Sequence, residues 1–202
     1  MKKTPSLFKR DYEGTRLVLD EVVSGSEWVT RGEGQATLKV DGTSCLVRGG
    51  ELFKRHDRKL TKSAARRKRR GARGPWQQDD FKSAPESWVP CEPEPNQHTG
   101  HWPGWLPVGD GPEDQWHREA FGHADFEDGT YELVGPKIQG NPHGLEQHEL
   151  WGHGDVVLRD VPTSYEGLRD WLGAHKVEGI VWHHPDGRLV KIKRRDFGFD
   201  WP

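Results

Sequence analysis

A chain of 202 residues can bury one proper core, and a two-lobed α/β arrangement also fits that length. Its 30 Lys+Arg against 32 Asp+Glu leave a formal net charge of -2, so total charge neither requires nor excludes a polyanionic partner. Only 32% of the residues are hydrophobic, yet ten tryptophans and seven phenylalanines supply large buriable surfaces that disordered chains lack. Cys45 and Cys91 are too few for a disulfide framework or a cysteine-based zinc site, which favours a reducing compartment. No run of about eighteen apolar residues could span a membrane. Met1-Lys-Lys-Thr-Pro-Ser starts like the charged part of a signal peptide, but no apolar segment follows, so a cytoplasmic protein is expected.

In chain order, the apolar stretches Leu17-Val-Leu19, Val22-Val23 and Glu27-Trp-Val29 predict short strands. Gly32-Glu-Gly34 signals a turn before a strand from Gln35 to Lys39, and Gly42-Thr43 reverses the chain after it. Cys45 to Arg48 and Glu51 to Arg55 predict a hairpin, because Gly49-Gly50 is a favoured two-residue connection. From Lys54 to Arg73 eleven basic residues face the single acid Asp57, a polyanion signature predicted here as a basic loop. A solvated mobile loop is the plainer reading of such a run.

From Pro75 to Asp128 no helical or strand period is evident. Tryptophans spaced by Pro and Gly, as in His98-Thr-Gly-His-Trp-Pro-Gly-Trp105, predict a long ordered excursion without regular structure. Cys91, His98, His101 and His117 could be considered as a metal site, but their spacings match no standard zinc pattern. Thr130 to Gly135 reads as a strand that puts Glu132 on the face opposite Tyr131 and Leu133, and Glu149 to Trp151 and Val156 to Leu158 are shorter candidates. Thr163-Ser-Tyr-Glu166 opens a helix whose buried stripe is Tyr165, Leu168, Trp171 and Leu172. Glu178 to Trp182 and Leu189 to Lys193 form a hairpin closed by Pro185-Asp-Gly187. Period two then places Lys191 and Lys193 together, opposite Val190 and Ile192, an unfavourable pairing unless something anionic lies between them.

Lys39-x-Asp-Gly42 lies where an apolar strand gives way to a glycine turn. A protonated lysine is inert, so a nucleophilic one needs neighbouring cations or partial desolvation to free its lone pair. The pattern is weak alone, because three common residue types at fixed spacing recur by chance. It gains weight from the order that follows: Arg55 on a hairpin, Glu132 on a strand, Glu178-Gly179, and Lys191-x-Lys193.

This order resembles the covalent nucleotidyltransferase superfamily of ATP-dependent ligases and mRNA capping enzymes. Gly32 to Thr43, Tyr131 to Pro142 and Thr99 to Trp105 look closest to the RNA 5′-to-3′ ligase family that includes a vertebrate RNA ligase and bacterial relatives. The resemblance implies an α+β nucleotidyltransferase domain, an ATP-grasp-like ligase adenylation fold with antiparallel sheets flanked by helices. It would fill residues 1–202 as one domain, with a basic loop at 54–73 and an ordered insertion at about 75–128. Ending at Pro202, the chain would carry no C-terminal OB-fold, which lowers the capping-enzyme and DNA ligase readings.

By the same resemblance Lys39 takes AMP from ATP as a phosphoramidate, AMP passes to an RNA 5′-phosphate, and a 3′-hydroxyl displaces it. Leu38, Arg55, Glu132, Trp151, Glu178, Lys191 and Lys193 join Lys39 in binding the nucleotide. Glu132 would take the ribose, Arg55 a phosphate or ribose, and Lys191 with Lys193 the α-phosphate. Glu178 would contact Mg2+ or Mn2+, and Trp151 would stack on adenine, although a core tryptophan is an equal reading of that residue. Arg58, Lys59, Arg66, Arg67, Arg69 and Arg70 would grip RNA carrying 5′-phosphate and 3′-hydroxyl ends. A monomer and a partner end-healing kinase or phosphatase complete the expectation. A DNA ligase, another lysine nucleotidyltransferase, and a non-catalytic RNA-binding module stay open as alternatives.

Overall fold

In the computed structural model, which describes residues 4–97 and 99–201, the chain parts into two compact units at Asp41 and Gly42 and again at Leu150 and Trp151. In chain order it forms β1 (Phe8–Arg10), β2 (Val18–Val22), α1 (Glu27–Thr30), β3 (Gln35–Leu38), β4 (Thr43–Arg48), β5 (Glu51–Arg58) and α2 (Lys62–Arg69). There follow β6 (Val89–Pro90), β7 (Trp102–Pro107), α3 (Gln115–Phe121), β8 (Gly129–Val134), β9 (Glu149–Gly152), α4 (Tyr165–Ala174), β10 (Gly179–His183) and β11 (Leu189–Lys193). The pairs β10–β11, β10–β3, β4–β5, β4–β8 and β5–β7 are antiparallel and the helices are few, as expected. Among the described residues no helix is long and apolar enough to cross a membrane.

The unit of residues 4–41 and 151–201 is built on the sheet β11-β10-β3. Register sets Ile180 opposite both Ile192 and Leu38, and Trp182 opposite both Val190 and Ala36. Strand period two therefore gathers Ile180, Trp182, Val190 and Ile192 into one core with Leu168 and Leu172 of α4 and with Trp28 and Val29. Helix α4 starts as its sequence predicts, the Ser164 hydroxyl accepting from the Gly167 N–H at 3.2 Å. Val156 to Leu158 pairs briefly with β3, Leu38 N–H donating to Val156 and Leu158 N–H to Ala36. Glu27 to Val29, predicted as strand, is instead the single helical turn α1. The two apolar residues there are too few to set a strand period, and the Glu27 carboxylate holds the turn by accepting from the Gly25 N–H.

The unit of residues 42–150 carries the sheet β6-β7-β5-β4-β8-β9, and the chain leaves it along β9. The β4–β5 hairpin has the predicted Gly49-Gly50 connection, with φ of +60° and +76°, the left-handed region that glycine enters without cost. Cys45, Val47, Leu52, Ala120, Leu133 and Leu150 form its main core. A second cluster gathers Ala64, Trp76, Phe81 and Trp102.

Two expectations fail in this unit. The basic run is no loop: its first part lies on β5 and Lys62–Arg69 is a helix, capped by the Thr61 hydroxyl and anchored through the fully buried Ala64. Nor is 75–128 without regular structure, because it contains β7, six residues paired with β5, and the helix α3. Prolines in β7 concealed it. Pro103 accepts from the Cys91 N–H, so its ring nitrogen faces the β6 side, and Pro107, of the same parity, leaves the ladder to β5 unbroken.

Replacing the fully buried Leu172 by Ala should remove about 2–5 kcal/mol of stability through the cavity left under β10 and β11. Urea denaturation followed by tryptophan fluorescence measures it, and a loss below about 1 kcal/mol would contradict this core.

Candidate active site

The end of β3 sets the position of Lys39. Its backbone N–H donates to Gly179 O at 2.9 Å, which ties the residue after the strand to the start of β10. Gly179 is required there for close approach, since a Cβ on it would lie 2.3 Å from Ile192 O of β11. Glu178, just before it, is 4% exposed, and the Arg194 N–H donates to its carbonyl.

Three predicted residues meet at that point. Lys39 Nζ lies 2.5 Å from Glu178 Oε2, and Lys193 Nζ lies 2.5 Å from Glu178 Oε1. Both lysine side chains are largely covered, at 19% and 15% exposure. One buried carboxylate thus separates two ammonium groups. Burial first, and then the charge of Lys39, hold the Lys193 ammonium below its ordinary value of 10.5. The folded chain binds fewer protons than the unfolded one between the lowered value and 10.5, so stability rises with pH across that window and the burial penalty is full below it.

Supports that sequence reading missed fix the two lysines of β11. Asp196, 3% exposed, accepts from the Lys193 N–H at 2.9 Å and pairs with Arg10. Its signal was the spacing: an acid three residues after Lys193 is a capping arrangement. The Lys191 N–H donates to Pro5 O and its carbonyl accepts from Leu7 N–H, so the segment before β1 flanks β11. Asp41 accepts from the Trp201 indole N–H at 2.7 Å. Leu38 lies opposite Ile180, and Trp151 stands half-buried on β9.

In the other unit Glu132 is 9% exposed and faces Ser44 across the β4–β8 ladder, accepting from its hydroxyl at 3.1 Å. Gly42 makes room for this pairing. A Cβ at residue 42 would lie 2.2 Å from Leu133 O and 2.9 Å from Glu132 Cγ. Arg55 donates to Asp57 at 2.7 Å, and His101 together with Arg55 lowers the Asp57 carboxyl to about 2. Burial beside Glu132 pushes the Cys45 thiol up to about 12, so it stays a protonated packing residue.

The basic residues have different fates. Arg58, predicted to grip RNA, is only 8% exposed: its guanidinium lies 4.4 Å from the Trp102 ring centroid and donates to Lys82 O. Period two on β5 turns it into the tryptophan cluster, where desolvation lowers its pKa. Arg67 pairs with Asp80 at 2.8 Å and lies over Trp76. Lys59, Arg66, Arg69 and Arg70 are exposed. His98 lies outside the described residues, and among those described no group of three His, Cys, Asp or Glu is placed to hold a metal.

Comparison with known proteins places the chain in the class of RNA ligases. The profile of the family described as RNA ligase 1 matches residues 3–125 and 119–202. The RNA ligase 1 of Danio rerio is 33% identical over an alignment of 251 positions, covering 96% of this chain and 77% of the fish protein. That of Mus musculus is 33% identical over 222 positions, covering 83% and 68%. The chain belongs to the RNA ligase 1 family.

Glu178→Ala should destabilise the fold by about 3 kcal/mol, since it leaves two partly buried ammonium groups facing each other. Adding Lys193→Met should recover much of that loss. A chemical-denaturation double-mutant cycle checks the pair, and strictly additive losses would refute the shared carboxylate.

Proposed function

We propose that the chain is an ATP-dependent RNA ligase of nucleotidyltransferase fold, joining RNA 5′-phosphate and 3′-hydroxyl ends through lysyl-AMP on Lys39. The observation that carries this reading is the Lys39, Glu178 and Lys193 cluster, in a member of an RNA ligase family. Burial first, and the facing Lys39 ammonium second, hold the Lys193 ammonium below its ordinary value, so the cluster is one in which a second positive charge is costly. Glu178 is the acceptor beside the nucleophile, and Lys193 is the cation on its other carboxylate oxygen.

The Lys39 Nζ lone pair then attacks the α-phosphorus of ATP. The nitrogen to phosphorus bond forms as the bond to the bridging oxygen breaks, and pyrophosphate leaves with that electron pair. Lys193, with Lys191 on the same strand face, stabilises the charge growing on the α-phosphate. An RNA 5′-phosphate oxygen next displaces Lys39 from AMP, and finally the 3′-hydroxyl oxygen displaces AMP from the RNA. Glu132 serves as ribose acceptor and Arg55 as a phosphate or ribose donor.

A divalent cation fits these residues in one way. A small hard ion keeps several waters and takes one or two carboxylates plus substrate phosphates, so the single carboxylate of Glu178 suffices without an all-protein cage. When bound, Mg2+ or Mn2+ would neutralise phosphate charge. Lys39 and Lys193 hold both Glu178 oxygens meanwhile, and must yield one.

Intact mass after incubation with ATP and magnesium should rise by about 329 Da, one AMP. Lys39→Ala should abolish the gain. Persistent labelling of that variant would mean another nucleophile. Lys193→Gln should slow AMP uptake at least about tenfold, because the cation that would stabilise charge growing on the α-phosphate is gone. An unchanged rate of uptake in that variant would remove Lys193 from stabilising the α-phosphate.

A further inference from the structure

Helix α2 is lined with cations on a single stripe. Lys62, Arg66 and Arg69 recur at helical spacing, with Ala65 between them, while Ala64, Arg67 and Lys68 point elsewhere. Ala64 is in the tryptophan cluster, Arg67 is paired with Asp80, and Lys68 donates to Thr99 O. The stripe borders a groove of about 500 Å3, whose other walls are Lys59, Leu60 and Lys82. Lys82 comes from outside the basic run. An antiparallel bridge between Leu60 and Phe81 brings it there, with the Lys82 N–H donating to Lys59 O at 2.9 Å.

Among the described residues, five cations and no acid line this groove. Like charges at helical i,i+3 and i,i+4 spacing destabilise a helix, and adjacent lysines on bridged strands repel in the same sense. A polyanion lying between them reverses the sign of both effects. The stripe from Lys62 to Arg69 is about 10 Å long at 1.5 Å per residue, room for more than one phosphate of a strand. Leu60 and Ala65 give the floor an apolar patch that a ribose or base can cover.

We infer that this groove is a second nucleic-acid site, holding the phosphate backbone of the RNA substrate through Lys59, Lys62, Arg66, Arg69 and Lys82. It rests on the RNA ligase reading for its occupant, and it divides the basic run. Arg58, Arg67 and Lys68 hold the fold, whereas Lys82 belongs to the grip.

The test is fluorescence anisotropy of a 5′-phosphorylated single-stranded RNA with the full chain over a salt series. ATP is omitted, so the result stands whether or not Lys39 takes up AMP. Lys62→Gln/Arg66→Gln/Arg69→Gln should weaken binding at least about tenfold at 0.1 M salt and reduce the slope of log K against log salt by about 2. Lys82→Gln should weaken binding about threefold and reduce the slope by about 0.7, the value for one phosphate contact on a single strand. Arg73→Gln, in the run but not in the groove, should change neither. Unchanged affinity and slope in Lys82→Gln, or an equal loss in Arg73→Gln, overturns the groove. So does displacement of the RNA by polyglutamate at equal charge concentration. Should the triple variant fail to fold, Lys82→Gln decides, since its side chain is exposed and its backbone bond is retained.

Discussion

Two ammonium groups meeting one buried carboxylate is an arrangement that a fold must impose. Left alone, Lys39 and Lys193 would separate into water, and Glu178 would be too costly to bury. Each is held by backbone: Lys39 by Gly179 O, Glu178 by the Arg194 N–H, Lys193 by the Asp196 carboxylate. The antiparallel register of β10 and β11 places Gly179 opposite Lys193, so the charge cluster forms only when that ladder is in register. A slip of one residue would exchange Lys193 for Ile192 and bury an ammonium in the core.

Glycine at two motif positions serves the same end by different contacts. Gly179 lets β11 come near, and Gly42 lets the β8 backbone and the Glu132 side chain come near. Neither needs an unusual φ. Both are places where any side chain would occupy space taken by a neighbouring carbonyl, so their role is one of clearance.

Much of this was legible. Period two in Leu189 to Lys193 and in Thr130 to Gly135, the Gly49-Gly50 turn and the Ser164 cap all carry local signals that the tertiary structure respects. The site residues on those strands were found for that reason. What escaped lacked such a signal. Helix α2 has only Ala64 and Ala65 as apolar residues, so charge composition masked its period, although the Lys62, Arg66 and Arg69 spacing was there to read. In β7 the prolines spoke against a strand, and only their shared parity shows that they spare one ladder. Arg58 looked like its basic neighbours; its burial depends on tryptophans thirty and more residues onward, which no local pattern reports.

The two-residue β6 gives this sheet an end of a particular kind. A strand edge with free N–H and C=O groups is a template for another chain, and long flat edges invite fibres. Here the edge is Val89 and Pro90, too short to template and half without a donor, and β7 behind it carries two more prolines on the same side. The tryptophan-rich half of the sheet, which would otherwise be the adhesive part of the protein, is thereby closed to edge-to-edge aggregation.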